Sequence, residues 1–265
     1  MGSATVQALA ASRQVLDGIG GKADLATARE LFAAGRVLGE SAHMLASLAD
    51  PSTDATAKAD VLGRVFGGRL SAQTMTLLTA IVTHRWSSQI DLLAGIEEIG
   101  IRAIALSTPA SVPLADELFA FGSAVSGNAE LELALRSRLA SPESKAELVQ
   151  RLLQGKASGQ TVELVRQLVS QPRGRSIRVA LRQSAAIISD QSGLSIATVT
   201  SARPLSAAQQ DRLIAGLSGQ YGRQLRINTI IDPALIGGLR VQIGHDVIDS
   251  SIATRINDVR LRLAG

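Results

Sequence analysis

The sequence predicts a mostly α chain: two tandem related helical bundles followed by a small α+β C-terminal domain. Three observations lead there. Apolar residues make up 46% of the 265 positions but aromatic ones only 2%, so the core is built of Ala, Leu, Ile and Val, which suits helix-on-helix packing. Segments of helical period run from Ala4 to Asp190, and the text from Glu30 to Ile90 recurs later at a constant offset. From Leu194 onward β-branched residues and a period of two take over.

From Ala4 to Ile19, Val6, Leu9, Ala10, Val15 and Leu16 fall near one face, and Gly18-Ile19-Gly20-Gly21 ends the segment, glycine being a common C-terminal stop. Asp24 is placed to cap a second helix running through Leu25, Ala28, Leu31, Phe32 and Leu38 to about Ala49. Asp50-Pro51 reads as a cap followed by proline at the first helical position. Lys58 to Phe66 is a short helix stopped by Gly67-Gly68. Ser71 opens the next, with Met75, Leu78, Ile81 and Val82 inside. Ser87-Ser88 opens a longer one through Ile90, Leu93, Ile96, Ile99 and Ile104. The stretch from Ser107 to Pro113, with two prolines, breaks it.

The repeat has an offset of 87 residues. Glu30-Leu31-Phe32-Ala33 returns as Glu117-Leu118-Phe119-Ala120, and Lys58-Ala59-Asp60-Val61 as Lys145-Ala146-Glu147-Leu148. Arg64 matches Arg151, Ser71-x-Gln73-Thr74 matches Ser158-x-Gln160-Thr161, Leu77 pairs with Leu164 and Ile90 with Ile177. Identical, conservative and helix-start positions all hold one spacing, which fits an internal duplication. If one copy begins with Ala4–Ile19, the other begins near Asp91, inside the last helix of the first. The expected organisation is therefore a first bundle over 1–106, a second over 88–192 sharing the helix 88–106, and an α+β domain over 194–265. No flexible linker separates the bundles.

In the last domain, Ser195 to Thr200 reads as a strand. Ser206-Ala207-Ala208-Gln209 is a capping-box opening, with Leu213, Ile214 and Leu217 as the buried side of a helix ended by Gly219. Leu225, Ile227, Thr229 and Ile231 alternate with Arg226 and Asn228 as a half-buried strand. Asp232-Pro233 stops it, Gly237-Gly238 offers positive φ for a tight turn, and Leu239, Val241 and Ile243 form the next strand. Gly244 closes that strand and Val247-Ile248 starts another. Asp249, Ser250 and Ser251 can cap a final helix whose apolar stripe is Ile252, Ile256, Val259 and Leu263.

Composition excludes several functions. Without cysteine there is no disulfide, thiolate nucleophile or thiolate metal site. No uncharged apolar run approaches the ~18 residues of a membrane span. The N-terminus lacks the basic-then-apolar order of a secretion signal, so a cytoplasmic protein is expected. The net charge of +4 is spread along the chain, and Phe32, Phe66, Phe119, Phe121, Trp86 and Tyr221 do not sit among clustered basics, unlike a nucleic-acid platform. Gly18-Ile19-Gly20-Gly21-Lys22-Ala23 has the G-x-G-x-x-A spacing of a dinucleotide turn, and a dinucleotide-binding enzyme is the alternative reading. Such a turn must follow a strand, whereas the segment before this one is helical. His43, His84 and His245 each lack a second ligand two to four residues away. Asp246 and Asp249 read as turn and cap residues, and no nucleophile–base–orienter set is spaced for catalysis. No enzyme, cofactor or metal site is expected.

The C-terminal stretch resembles the delta subunit family of F-type ATP synthase, called the oligomycin-sensitivity-conferring protein in mitochondria. The matching residues are Leu225, Ile227, Ile231-Asp232, Leu235, Gly237-Gly238-Leu239, Val241-Gln242 and Gly244, then Val247-Ile248-Asp249. His245 stands where an acidic residue is usual and Ser250 where glycine is usual, which implies strain of about 1 kcal/mol if that backbone needs positive φ. The resemblance runs from about Asp91 to the C-terminus, and Pro172-Arg173-Gly174-Arg175 is similar to the turn before the last long helix of the family's helical domain. Residues 1–90 are an extra copy of the helical part, as in the long actinobacterial form.

The resemblance implies a non-catalytic stator that resists rotor torque while proton flow drives ATP synthesis. Its helical domain would grip the N-terminal helix of an alpha subunit, and its α+β domain the C-terminal end of the b subunit. It would sit peripherally on the cytoplasmic face of the plasma membrane, with no nucleic acid and no direct membrane insertion. Alpha would lie in a groove between the first and fifth helices of a copy. In the second copy these are about Leu92–Leu106 and Gln160–Val169, with Ile96, Ile99, Ala103, Val162, Val165 and Val169 as candidates.

Overall fold

The computed structural model describes residues 2–137, 139–193, 195–221, 225–233, 235, 237–243 and 246–249. The final helix expected after Asp249, together with Gly244, His245 and Ser250, lies outside the described residues. The chain divides into two compact units, Met1–Ile188 and Ser189–Gly265.

The first unit is helical. Its elements are α1 (Ser3–Ile19), α2 (Leu25–Glu40), α3 (Ala42–Ala49), α4 (Ala55–Phe66), α5 (Ala72–Thr83), α6 (Gln89–Ser107), α7 (Leu114–Ser126), α8 (Ala129–Arg136), α9 (Pro142–Leu153), α10 (Gly159–Ser170) and α11 (Ile177–Gln191). Side chains of Asp24, Ser41, Asp54, Ser71, Ser88, Asn128, Ser141 and Ser158 each accept a hydrogen bond from a first-turn N–H of the helix that follows. Leu16, Leu31, Leu38, Leu62, Leu77, Leu78, Ile81, Leu92, Ile96, Ile99 and Ile104 are fully buried, an aliphatic core as the composition requires.

Two boundaries differ from the sequence expectation. The helix expected from Leu25 to Ala49 is two helices, because Ser41 turns extended (φ −109°, ψ 94°) and caps α3 at Met44 N–H. Asp50-Pro51 does not open a helix. Asp50 ends α3, Pro51 lies in a turn, and Asp54 caps α4. Proline fits either role, and the second aspartate four residues on takes the cap.

Helix α6 is the spine of this unit. It touches α1, α2, α3 and α5 on one side of the sequence and α10 on the other. Close approach is built in with glycine. The Phe32 ring of α2 lies where a Cβ on Gly100 would come within 2.5 Å, and the Trp86 ring covers Gly95 so that no Cβ would fit there. Trp86 is fixed by donating from Nε1 to the Ile81 carbonyl at 2.7 Å.

The repeat carries a repeated hydrogen-bond set. Glu30 of α2 reaches the start of α5, where its carboxylate accepts from Ser71 N–H (2.9 Å), Ser71 hydroxyl (2.7 Å) and Thr74 hydroxyl (2.5 Å). Glu117 of α7 does the same at the start of α10, accepting from Ser158 N–H (3.1 Å), Ser158 hydroxyl (2.6 Å) and Thr161 hydroxyl. A carboxylate at a helix N-terminus satisfies free N–H groups and favours the positive end of the dipole.

The second unit is a four-stranded sheet with one described helix. Strands β1 (Ser195–Ser201), β2 (Leu225–Ile231), β3 (Leu239–Ile243) and β4 (Asp246–Asp249) stand in the order β2-β1-β3-β4. β1 and β2 are parallel, with Ala197 opposite Ile227, and the other pairs are antiparallel. Parallel neighbours need a crossover, which α12 (Ala207–Tyr221) supplies. The expected capping box forms: Ser206 N–H donates to Gln209 Oε1 (2.9 Å) and Gln209 N–H to Ser206 Oγ (3.3 Å). Gly219 does not end α12, which continues to Tyr221. Leu213 and Leu217 of α12 pack with Ala197, Val199, Leu225, Ile227, Val241 and Ile243 on one face of the sheet.

Burial opposes the charge of Glu30, but the hydrogen bonds from Thr74 and Ser71 outweigh it and hold the carboxyl below its ordinary value. Glu117 is held low in the same way by Ser158 and Thr161. A carboxyl that titrates lower folded than unfolded stabilises fully above its unfolded value of about 4.3 and stops stabilising as pH falls through the folded one. Glu30→Gln and Glu117→Gln are each expected to lower stability at pH 7 by roughly 1–3 kcal/mol. The double variant should also lose less stability between pH 5 and 3 than the parent, read by urea unfolding across pH. An unchanged acid dependence would contradict this.

Candidate functional site

Among the described residues, the glycine corner, His43 and His84 take structural positions. The glycine corner follows α1, so it closes a helix: Gly20 takes φ 57°, Gly20–Lys22 form one 3-10 turn, and Asp24 then caps α2. A dinucleotide turn needs a strand before it, and the alternative reading fails on that point. His43 is exposed on α3 and His84 ends α5. Among the described residues no group of three His, Asp or Glu is placed to hold a metal ion. Among the same residues no helix is long and apolar enough to cross a membrane.

The six candidate residues gather around α6 and α10. Ile96, Ile99 and Ala103 of α6 and Val165 and Val169 of α10 are buried, and Val162 is half-buried. They do not line an open groove. Helix α2 lies against both α6 and α10, with Gly35 against Ile96 and Gly39 against Leu93. Arg29 of α2 pairs with Glu163 of α10 (2.9 Å), and Arg36 donates to Gln167 Oε1 (2.7 Å). The counterparts of the six candidates at the offset of 87 behave alike: Leu9, Ser12, Leu16, Leu78 and Val82 are buried and Met75 is half-buried. Beside Met75, the residues Val15, Thr76, Thr79, Ala80 and Thr83 line a depression of about 520 Å³ open to solvent.

Charge inside α6 fixes the frame of these surfaces. Glu97, Glu98 and Arg102 sit within an otherwise apolar helix, and each is less than a tenth exposed. Glu98 accepts from Arg102 Nε (3.0 Å) one turn away and from Arg13 of α1 (2.5 Å). Glu97 binds Arg175 Nη2 with both oxygens (2.8 and 2.9 Å) and Arg173 at 3.2 Å. Arg173 also donates to the Leu93 carbonyl of α6. The Pro172–Arg175 turn is thereby clamped onto α6, with Arg173 at φ 48° and Gly174 at φ 74°. Left-handed backbone at a residue other than glycine persists only where surrounding contacts enforce it. This network was missed from the sequence, though charged residues inside the apolar run Leu92–Ile104 were its signal.

The motif of the second unit is a corner. Ile231 ends β2 half-exposed, Asp232 N–H donates to the Ser201 carbonyl (2.9 Å), and Leu235 N–H returns to the Asp232 carbonyl (3.1 Å). Gly237 (φ 93°) and Gly238 (φ 84°) both need positive φ before β3. Val241 is buried opposite Val199, and Asp249 stands opposite Arg240 in the register.

The family model of the ATP synthase delta (OSCP) subunit matches residues 103–263. The ATP synthase subunit delta of Leifsonia xyli subsp. xyli is 56% identical, with 100% of both chains covered. That of Streptomyces avermitilis is 39% identical over 98% of each. A chain of the Toxoplasma gondii mitochondrial ATP synthase hexamer is 21% identical with a TM-score of 0.44, covering 63% of this chain and 95% of that one.

Removing one partner of a buried ion pair strands the other charge, at a cost of about 3 kcal/mol or more. Glu97→Ala is therefore expected to lower stability by that amount and to release the Pro172–Arg175 turn to faster amide exchange. A loss below about 1 kcal/mol, the range of a surface pair, would contradict the clamp.

Proposed function

From the premise that this chain belongs to the ATP synthase delta (OSCP) family, we propose that it is the peripheral-stalk subunit that ties the alpha/beta head to the b stalk. It is a structural subunit of the ATP synthase complex and carries out no reaction of its own. In this reading the helical unit holds the N-terminal helix of an alpha subunit, and the α+β unit holds the C-terminal end of b. The complex works at the cytoplasmic face of the plasma membrane. Residues 1–106 and 88–192 are two copies of one bundle sharing α6, an arrangement supported by the Glu30 and Glu117 hydrogen-bond sets at equal offset.

The observation that carries the reading is the match to delta relatives over the whole chain, on a helical unit cross-tied through buried charge. A stator must transmit torque without yielding. Buried carboxylates each held by two arginines are screened less by salt than fully exposed pairs. Two docking surfaces on one chain also raise avidity without new contacts, and each is expected to bury roughly 1,600 Å² in total.

Membranes carrying the ATP synthase and stripped of this chain test the proposal. Adding the purified chain back is expected to restore proton-driven ATP synthesis and to re-attach the head. Recovery of synthesis without the chain would contradict it.

A further inference from the structure

We infer that the cavity at the starts of α1 and α6, beside the end of α3, docks an acidic segment of another subunit anchored by an aliphatic side chain. This goes beyond the stator reading and rests on it only in seeking that subunit within the ATP synthase.

The repeat supplies the comparison. At the offset of 87, Ile90 at the start of α6 corresponds to Ile177 at the start of α11. Residue and place are the same, yet Ile177 is 7% exposed and Ile90 is 76% exposed. At the start of α11, Glu132 of α8 pairs with Arg178 (3.4 Å). The matching positions are Leu45 and Asp91, and α3 has Ala46 and Ala49 where α8 has Leu133 and Arg136. Helix α3 therefore has neither that ion pair nor the larger side chains. A cavity of about 980 Å³ stands beside Ile90, walled by Ala46, Ala49, Pro51 and Trp86. Such a volume is far more than one side chain fills, and suits a short run of residues. Its walls are tied in advance: Thr5 N–H donates to Ser87 Oγ (3.3 Å) and Thr5 hydroxyl to Asp91 Oδ2 (3.0 Å). A preformed cavity spares the occupant the cost of ordering it.

Charge decides what the occupant is. Two charged side chains line the cavity, Asp50 and Arg85. Asp50 Oδ1 is engaged by the N–H (2.8 Å) and hydroxyl (2.7 Å) of Ser52. Arg85 is exposed and has no ion pair or hydrogen bond among the described residues. Gly2 brings no side chain to cap α1, so free N–H groups at that helix start add to the positive side. A basic segment would set like charge against Arg85, and a wholly apolar one would desolvate it without a partner. An aliphatic side chain on the Ile90 and Trp86 floor, with a carboxylate within one turn to meet Arg85, satisfies both.

The test uses purified ATP synthase carrying the full chain, with an aliphatic diazirine amino acid in place of Ile90. Leu133 is the control position, since it is 71% exposed but outside the cavity. Position 90 is expected to link to another subunit, in a peptide with Asp or Glu within four residues of Leu, Ile or Val. Position 133 is expected not to reach that peptide. Arg85→Glu should lower the yield from position 90 by about tenfold and Arg85→Lys should restore it, with the Tm of the chain and its amount in the complex unchanged. No link from 90, a link to this chain or to a second copy, a linked peptide without a carboxylate, the same peptide reached from 133, or an undiminished yield in Arg85→Glu would overturn the docking site and leave the stator reading standing. A purified complex that lacks the chain would overturn both.

Discussion

A carboxylate drawn out of water must find its charge elsewhere, and the first unit is organised around two that do so. Glu97 and Glu98 are neighbours in sequence and point away from each other around α6. One collects Arg173 and Arg175 from the turn after α10, the other Arg102 from its own helix and Arg13 from α1. Glu97 cannot be solvated again without separating the Pro172–Arg175 turn from α6, nor Glu98 without breaking its pair with Arg13 of α1. The core around them is aliphatic and non-directional, so it resists separation but specifies little. The ion pairs add direction. They fix which way α1 and the Pro172–Arg175 turn face α6, and with that the surfaces a partner meets.

The near-symmetry of the chain makes its departures informative. Equivalent glutamates hold equivalent helix starts, and equivalent serines cap α5 and α10. The equivalent outer surfaces of α5 and α10 differ. On α10 Glu163 and Gln167 stand where α5 has Thr76 and Ala80, and α2 lies against them with Arg29 and Arg36. On α5 the corresponding surface is uncharged and open to solvent.

Much of this was legible because it is local. Helix starts at Ser71, Ser88 and Ser206, the stop at Gly20 and the positive φ of Gly237 and Gly238 each depend on a few consecutive residues. The repeat made the helical plan legible as well. The break at Ser41 was hidden because Leu38, Leu45 and Leu48 keep a helical period across it. Asp50 and Asp54 were competing caps, and nothing nearby chose between them. The six candidate residues on α6 and α10 have the spacing of a groove lining, but a core-facing stripe has the same spacing. Only tertiary packing, a long-range fact, buries Ile96, Ile99, Ala103, Val165 and Val169. The order β2-β1-β3-β4 and the clamp on Arg173 are long-range in the same sense.

The central claim is that α6 makes the helical unit one stiff body. Native-state hydrogen exchange of the full chain tests it most directly, because elements that open together exchange with one free energy. The slowest amides of α2, α6 and α10 are expected to share a single opening free energy equal to that of global unfolding. If the α1–α5 half opened well below the α7–α11 half, with α6 following only one of them, the unit would be two bodies and the claim would fall.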